Sequence, residues 1–276
     1  MKKILFLAAM AAVNVTFAQT LNTPQPSTTQ TIKQNFGLSS IELSYSRPNA
    51  KGRSVIGGLV PFGKVWRTGA NQATTLNFGD DVTIGGKKIA AGKYGLLSIP
   101  DKDNWILIIT KQLDVTSPAA YKEESDLVRI NVKPMMLNDK IETFTIQFTN
   151  VKASTCDLNL QWENTSVTLP VSTDVDSKVM SQINDVMTKD NKPYYNAAMY
   201  YMDNSKDLNQ ALTWFNKAVE QNPTAFFMQY QRANCLVKLG KKQEAIAAST
   251  KSLELSKTAN NADYVKLNED LLKSLQ

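Results

Sequence analysis

The chain has 276 residues, 42% hydrophobic and 20% charged, a length and balance that fit two folded units and exclude a disordered or fibrous polymer. Its formal charge of +6 is spread out, without a basic face interleaved with stacking aromatics, so nucleic acid is not an expected partner. Histidine is absent, which removes Ser-His-Asp and Cys-His nucleophilic systems, histidine acid–base catalysis and the commonest zinc and iron sites.

Residues 1–18 follow an export pattern: Lys2 and Lys3, a short apolar run from Ile4 to Val15, then Thr16-Phe17-Ala18 around a cut expected after Ala18. That run is too short to span a bilayer of about 30 Å. No integral membrane segment is expected after cleavage, and no cysteine near the cut offers a lipid anchor. The expected location is the periplasm, with the extracellular space as the alternative. Residues 19–34, rich in Thr and Gln with Pro24 and Pro26, read as a flexible linker.

From residue 35 to 172 the dominant period is two. Ile41, Leu43 and Tyr45 alternate with polar neighbours, as do Val128, Ile130 and Val132, then Phe144, Ile146 and Phe148. Cys156 to Trp162 and Val167 to Val171 continue the pattern, and Trp105 to Ile109, apolar on both sides, predicts a central strand. Gly85-Gly86 and Pro100 to Asn104 separate short runs as hairpin turns would. Such short, evenly spaced strands predict an antiparallel sandwich or barrel.

After Ser172 the period becomes helical, with Val175, Val179, Ile183 and Val186 marking a helix over 173–189 behind a Ser/Thr cap. Residues 173–276 form the predicted helical domain. Sliding the chain by 34 residues places Met199 on Ala233, Met202 on Leu236 and Ala211 on Ala245, the period of tetratricopeptide repeats. In the second copy Ser249 and Ser252 stand where an aromatic and a small apolar residue are expected, and Tyr264, Leu267, Leu271 and Leu275 predict a capping helix. Tyr195, Met202, Phe215 and Leu236 are the candidate protein-binding repeat positions.

The remaining chemistry is sparse. Cys156 and Cys235 either pair or stay as buried thiols. Asp101 and Asp103 read as a hairpin turn, and Glu123, Glu124 and Asp126 as a solvated one. No phosphate loop, catalytic constellation, metal site or cofactor motif is present, so no cofactor is expected. The segment from Ser46 to Thr75 stands apart as long, rich in glycine, and carrying Arg47, Lys64, Trp66, Arg67, Asn71 and Gln72. These six are the candidate binding residues for a small anionic or sugar-like ligand. The alternative is architectural: Trp66 and Phe62 plug the end of the β domain while the arginines satisfy carbonyls.

Within this segment GGLVPFGKVWRTGANQATT, followed by VTIGGKKIAAGKYGLLSIP and NWILIITK, resembles a family of exported bacterial proteins grouped as a domain of unknown function. The resemblance covers residues 35–169. Family members often carry tyrosine at position 62 and glutamate at 72, where this chain has Phe62 and Gln72. It implies the domain and its export and names no reaction. The helical part resembles tetratricopeptide modules, which implies a protein partner. The expected function is an exported binding or scaffold protein; the alternative is a histidine-free hydrolase or lyase acting on an envelope sugar or peptide at Trp66 to Gln72.

Overall fold

The computed structural model describes residues 23–276, and the predicted export segment with its cleavage site lies outside the described residues. The chain separates into two compact units, the second running Val175–Gln276.

In the first unit, β1 (Thr29–Phe36), β2 (Ser39–Ser46), β3 (Thr74–Phe78), β4 (Val82–Ile84), β5 (Lys87–Ile89), β6 (Gly92–Ile99), β7 (Trp105–Thr110), β8 (Asp126–Val132), β9 (Met135–Thr149) and β10 (Thr155–Ser172) build two sheets. Their orders are β1-β2-β3-β6-β7-β8 and β5-β4-β10-β9, and neighbouring strands run antiparallel. Leu43, Leu76, Leu96 and Leu107 from one sheet meet Ile84, Ile146, Leu158 and Leu169 from the other in a single buried cluster. Two sheets closed over one core are a sandwich, which decides between the two architectures the alternation allows.

The expected linker needs correction. Residues 29–34 belong to β1, paired along its length with β2. β1 is an edge strand and buries only Phe36, so apolar alternation gives no signal of it. It is held instead by the backbone ladder and by polar contacts, Thr31 Oγ1 to Ser44 Oγ at 3.1 Å and Tyr45 Oη to Gln30 Oε1 at 2.9 Å.

β7 is buried on both faces, yet lies one strand from the sheet edge. Leu107 and Ile109 join the inter-sheet core; Ile108 joins Ala73, Leu97 and Val115 in a second cluster, against which Val65 and Tyr121 pack. Loop residues therefore cover what would otherwise be an outer face.

β10 reverses on itself. Asn159 Nδ2 donates to Ser166 Oγ at 2.9 Å and Thr168 Oγ1 at 3.0 Å, although nine residues of straight strand would span about 30 Å. The turn is at Glu163, whose φ is 48°. Its two arms bury Leu158, Leu160 and Trp162, then Val167, Leu169 and Val171, so the parity of the buried face shifts across the turn.

The second unit holds α1 (Val175–Val186), α2 (Tyr194–Asp203), α3 (Leu208–Gln221), α4 (Phe226–Lys238), α5 (Lys242–Thr258) and α6 (Ala262–Ser274). The first helix starts at Val175, two residues after Thr173, whose hydroxyl donates to the Asp81 carbonyl at 2.8 Å within the β unit. Ala198, Ala211, Ala233 and Ala245 pack around Phe215 and Leu236; small side chains let helices approach and large ones fill the space between.

Candidate functional site

Between β2 and β3, residues 47–73 have no regular structure beyond isolated bridges, and the β unit anchors them along their length. Ala50 N donates to the Glu142 carbonyl at 2.9 Å and Lys51 N to the Glu142 carboxylate at 2.7 Å. Glu163 Oε2 accepts from Val55 N at 2.6 Å, so the residue at the β10 turn also holds the loop. Trp66 exchanges both backbone hydrogen bonds with Ser98 on β6, at 2.7 and 2.9 Å, continuing the sheet beyond the end of β3. Its ring stacks on Trp162 at 5.7 Å and meets Phe144 edge-on at 5.0 Å, while Nε1 donates to the Gly69 carbonyl at 2.9 Å. A Cβ on Gly69 would stand 2.9 Å from the Ser46 carbonyl, which explains the glycine there.

The six candidate ligand residues do not converge. Arg47 gives its Nε to the Phe144 carbonyl at 3.2 Å and Nη2 to Thr145 Oγ1 at 3.0 Å, tying the loop to β9. Trp66 is buried in the core. Asn71 donates from Nδ2 to the Ser27 carbonyl at 3.0 Å and to Ser46 Oγ at 3.2 Å, fastening the segment before β1. Lys64, Trp66 and Arg67 border a depression of about 180 Å³, whereas Asn71 and Gln72 border a different one of about 480 Å³. Arg67 gives Nη1 to the Thr116 carbonyl at 2.9 Å; its Nε is buried and has no hydrogen-bond partner.

Asp126, expected in a solvated turn, keeps only 6% of its side chain exposed. It accepts from the Tyr121 hydroxyl and lies 3.7 Å from Arg129 Nε, which belongs to the residue that also pairs with Glu123. Burial pushes its carboxyl above the usual range, partly opposed by those two partners. Spacing alone could not reveal this, since it depends on a tertiary contact with the Tyr121 hydroxyl.

In the helical unit, Met202, Phe215 and Leu236 are buried and fill the core, so they do not present themselves to a partner. Repeat motifs register mainly such packing positions. Tyr195 is half-buried and opens a ring-to-ring series that sequence reasoning missed. Tyr195 meets Phe227 at 5.4 Å, Phe227 meets Phe226 at 5.9 Å, Phe226 meets Tyr264 at 4.9 Å and Tyr264 meets Tyr230 at 5.6 Å. The signal was the clustering of aromatics at the starts of α2, α4 and α6, masked by alternation with core residues.

Residues 192–224 and 228–258 each match the tetratricopeptide repeat, on α2–α3 and α4–α5. The chain matches no curated protein. Residues 27–171, the sandwich from before β1 into β10, match the profile described as protein of unknown function (DUF2911), and the chain belongs to that family.

Proposed function

We propose that the protein is an exported scaffold that binds a protein segment through its helical unit, with the periplasm as its place of work. The observation that carries this reading is the aromatic series from Tyr195 through Phe227, Phe226 and Tyr264 to Tyr230, which links α2, α4 and α6. All five rings are half-buried, so each combines a packed body with a surface that a partner can cover. Aromatic side chains in that state are the usual anchors of protein interfaces. Tetratricopeptide repeats stack hairpins to make such extended surfaces, which supports the same reading. Export rests on the charged and apolar pattern of residues 1–18.

The test is recovery of a defined partner from the producing cells with the wild-type chain and with Tyr230→Ala/Tyr264→Ala, alongside fractionation and N-terminal sequencing of the mature protein. A partner lost in the double variant, and a periplasmic protein beginning at Gln19, support the reading. Equal recovery by both proteins would sink it, and an uncleaved cytoplasmic chain would remove export.

One observation favours a second, smaller role in the β unit. The unpartnered Arg67 Nε and the exposed Lys64 border one depression, a combination suited to a small anion. A rise in melting temperature with phosphate that is absent in Arg67→Ala would support it, and no rise would remove it.

A further inference from the structure

The β unit has a third, larger recess far in sequence from the Trp66 loop. β4 and β10 share a single register pair, Thr83 with Ser172, so the β4-β5 hairpin diverges from β10. β8, the terminal strand of the six-stranded sheet, stands at the opening. The result is a cleft of about 590 Å³, within the size range of small-molecule sites. Gly85 and Gly86 make the hairpin turn at its mouth with φ of 58° and 78°, a conformation suited to glycine, and contribute no side chains to close it.

Its chemistry is specific. Ile130, Val132 and Met135 supply an aliphatic lining, and no aromatic ring borders the cleft, so nothing there would stack on a base or a sugar ring. One wall is polar: half-buried Thr168 accepts a hydrogen bond from Asn159 Nδ2, which leaves its own hydroxyl proton uncommitted by that bond, while Ser166, which accepts from the same amide, is buried behind it. The register of Met135 with Ser166 brings Lys133 to the same end of the cleft. Lys133 is exposed and makes no ion pair among the described residues. The lining carboxylate, Asp157, accepts from Asn150 Nδ2 at 2.8 Å and borders the Thr155 end.

We propose that this cleft binds a small amphiphile with an aliphatic body and a carboxylate head, the body on Ile130, Val132 and Met135 and the head accepting from Thr168 and Lys133. A hydroxyl donor beside an unpaired ammonium selects an acceptor anion, while the aliphatic lining selects an unbranched or lightly branched chain. This assignment is independent of the helical surface.

Calorimetric titration of the full chain with decanoate and with decanol, both well below their micelle thresholds, tests it. One saturable site is expected for decanoate, weakened at least fivefold by Lys133→Ala while decanol binding is unchanged. Thr168→Trp, which fills the cleft, should abolish both; the exposed Pro170→Trp serves the same purpose if the first variant fails to fold. No saturable binding of decanoate would overturn the proposal, as would an affinity unchanged in Lys133→Ala and in the filled variant. Equal sensitivity of decanol and decanoate to Lys133→Ala would overturn the carboxylate head.

Discussion

Asn268 on α6 donates from Nδ2 to Ser252 Oγ on α5 at 2.9 Å, with both residues wholly buried. The same amide donates to the Tyr264 carbonyl at 2.6 Å, and its Oδ1 accepts from Ser249 Oγ at 3.0 Å. Ser252 in turn donates to the Phe226 carbonyl at 2.8 Å. What the repeat pattern registers as a degraded second copy is therefore a satisfied polar seam that ties α6, and Tyr264 with it, to α4 and α5.

Asn268→Leu should take the side-chain acceptor from the buried Ser249 hydroxyl and the amide donor from the Ser252 oxygen, and lower stability by about 1–3 kcal/mol. The triple variant Ser249→Ala/Ser252→Ala/Asn268→Leu should recover most of that loss, because removing every partner leaves nothing unsatisfied. Urea unfolding followed by helical circular dichroism reads both values. A single variant as stable as wild type would show that the seam contributes nothing.

Trp66→Ala should cost about 3–5 kcal/mol, the usual range for emptying a large aromatic from a packed core. Lys64→Ala, two residues away and exposed, should change stability by less than about 0.5 kcal/mol. Chemical denaturation of the pair separates architecture from surface. Equal, small effects would mean that the loop is not part of the core.

Asp126 gives a pH signature. Its carboxyl titrates above the unfolded value, chiefly through burial, so the folded state binds the proton more tightly than the unfolded state. Its stabilising contribution is present below the unfolded pKa and is lost as pH rises through the raised folded pKa. Melting temperatures of wild type and Asp126→Asn should therefore diverge between acid and neutral pH, with wild type losing ground as pH rises. A constant difference across that window would rule out the shift.

Cys156 and Cys235 are buried free thiols, one in each unit. Burial pushes the Cys156 thiol up to about 11, with Asp157 adding to the shift, and burial likewise raises Cys235. Both should stay protonated and unreactive toward a thiol reagent at neutral pH and react after denaturation. Prompt labelling of the native protein, or no free thiol after denaturation without reductant, would disagree.

Most of the sandwich was legible because its strands bury one face. Leu43, Ile146 and Leu169 all sit at alternating positions, and Gly85-Gly86 marks its turn without help from the rest of the chain. β1 was not, since an edge strand held by backbone pairing and polar side chains leaves no apolar period. The loop stood out in the sequence by its aromatics and arginines, but the role of Arg47 depends on a carbonyl 97 residues away. Repeat spacing likewise found Phe215 and Leu236, which are core, and passed over Tyr230, which meets Tyr264 of the predicted capping helix across α4 and α6. Periodicity reports burial, whereas a binding surface depends on what is left partly uncovered.

The decisive measurement is site-specific photo-crosslinking in the producing cells, with a benzoylphenylalanine placed at position 230 and, in a second protein, at the exposed position of Lys140 on the β unit. A reproducible adduct at position 230, mapped by mass spectrometry to one segment of one protein and absent from position 140, is expected. No adduct at 230, or the same adducts from both positions, would overturn the helical unit as the partner-binding surface.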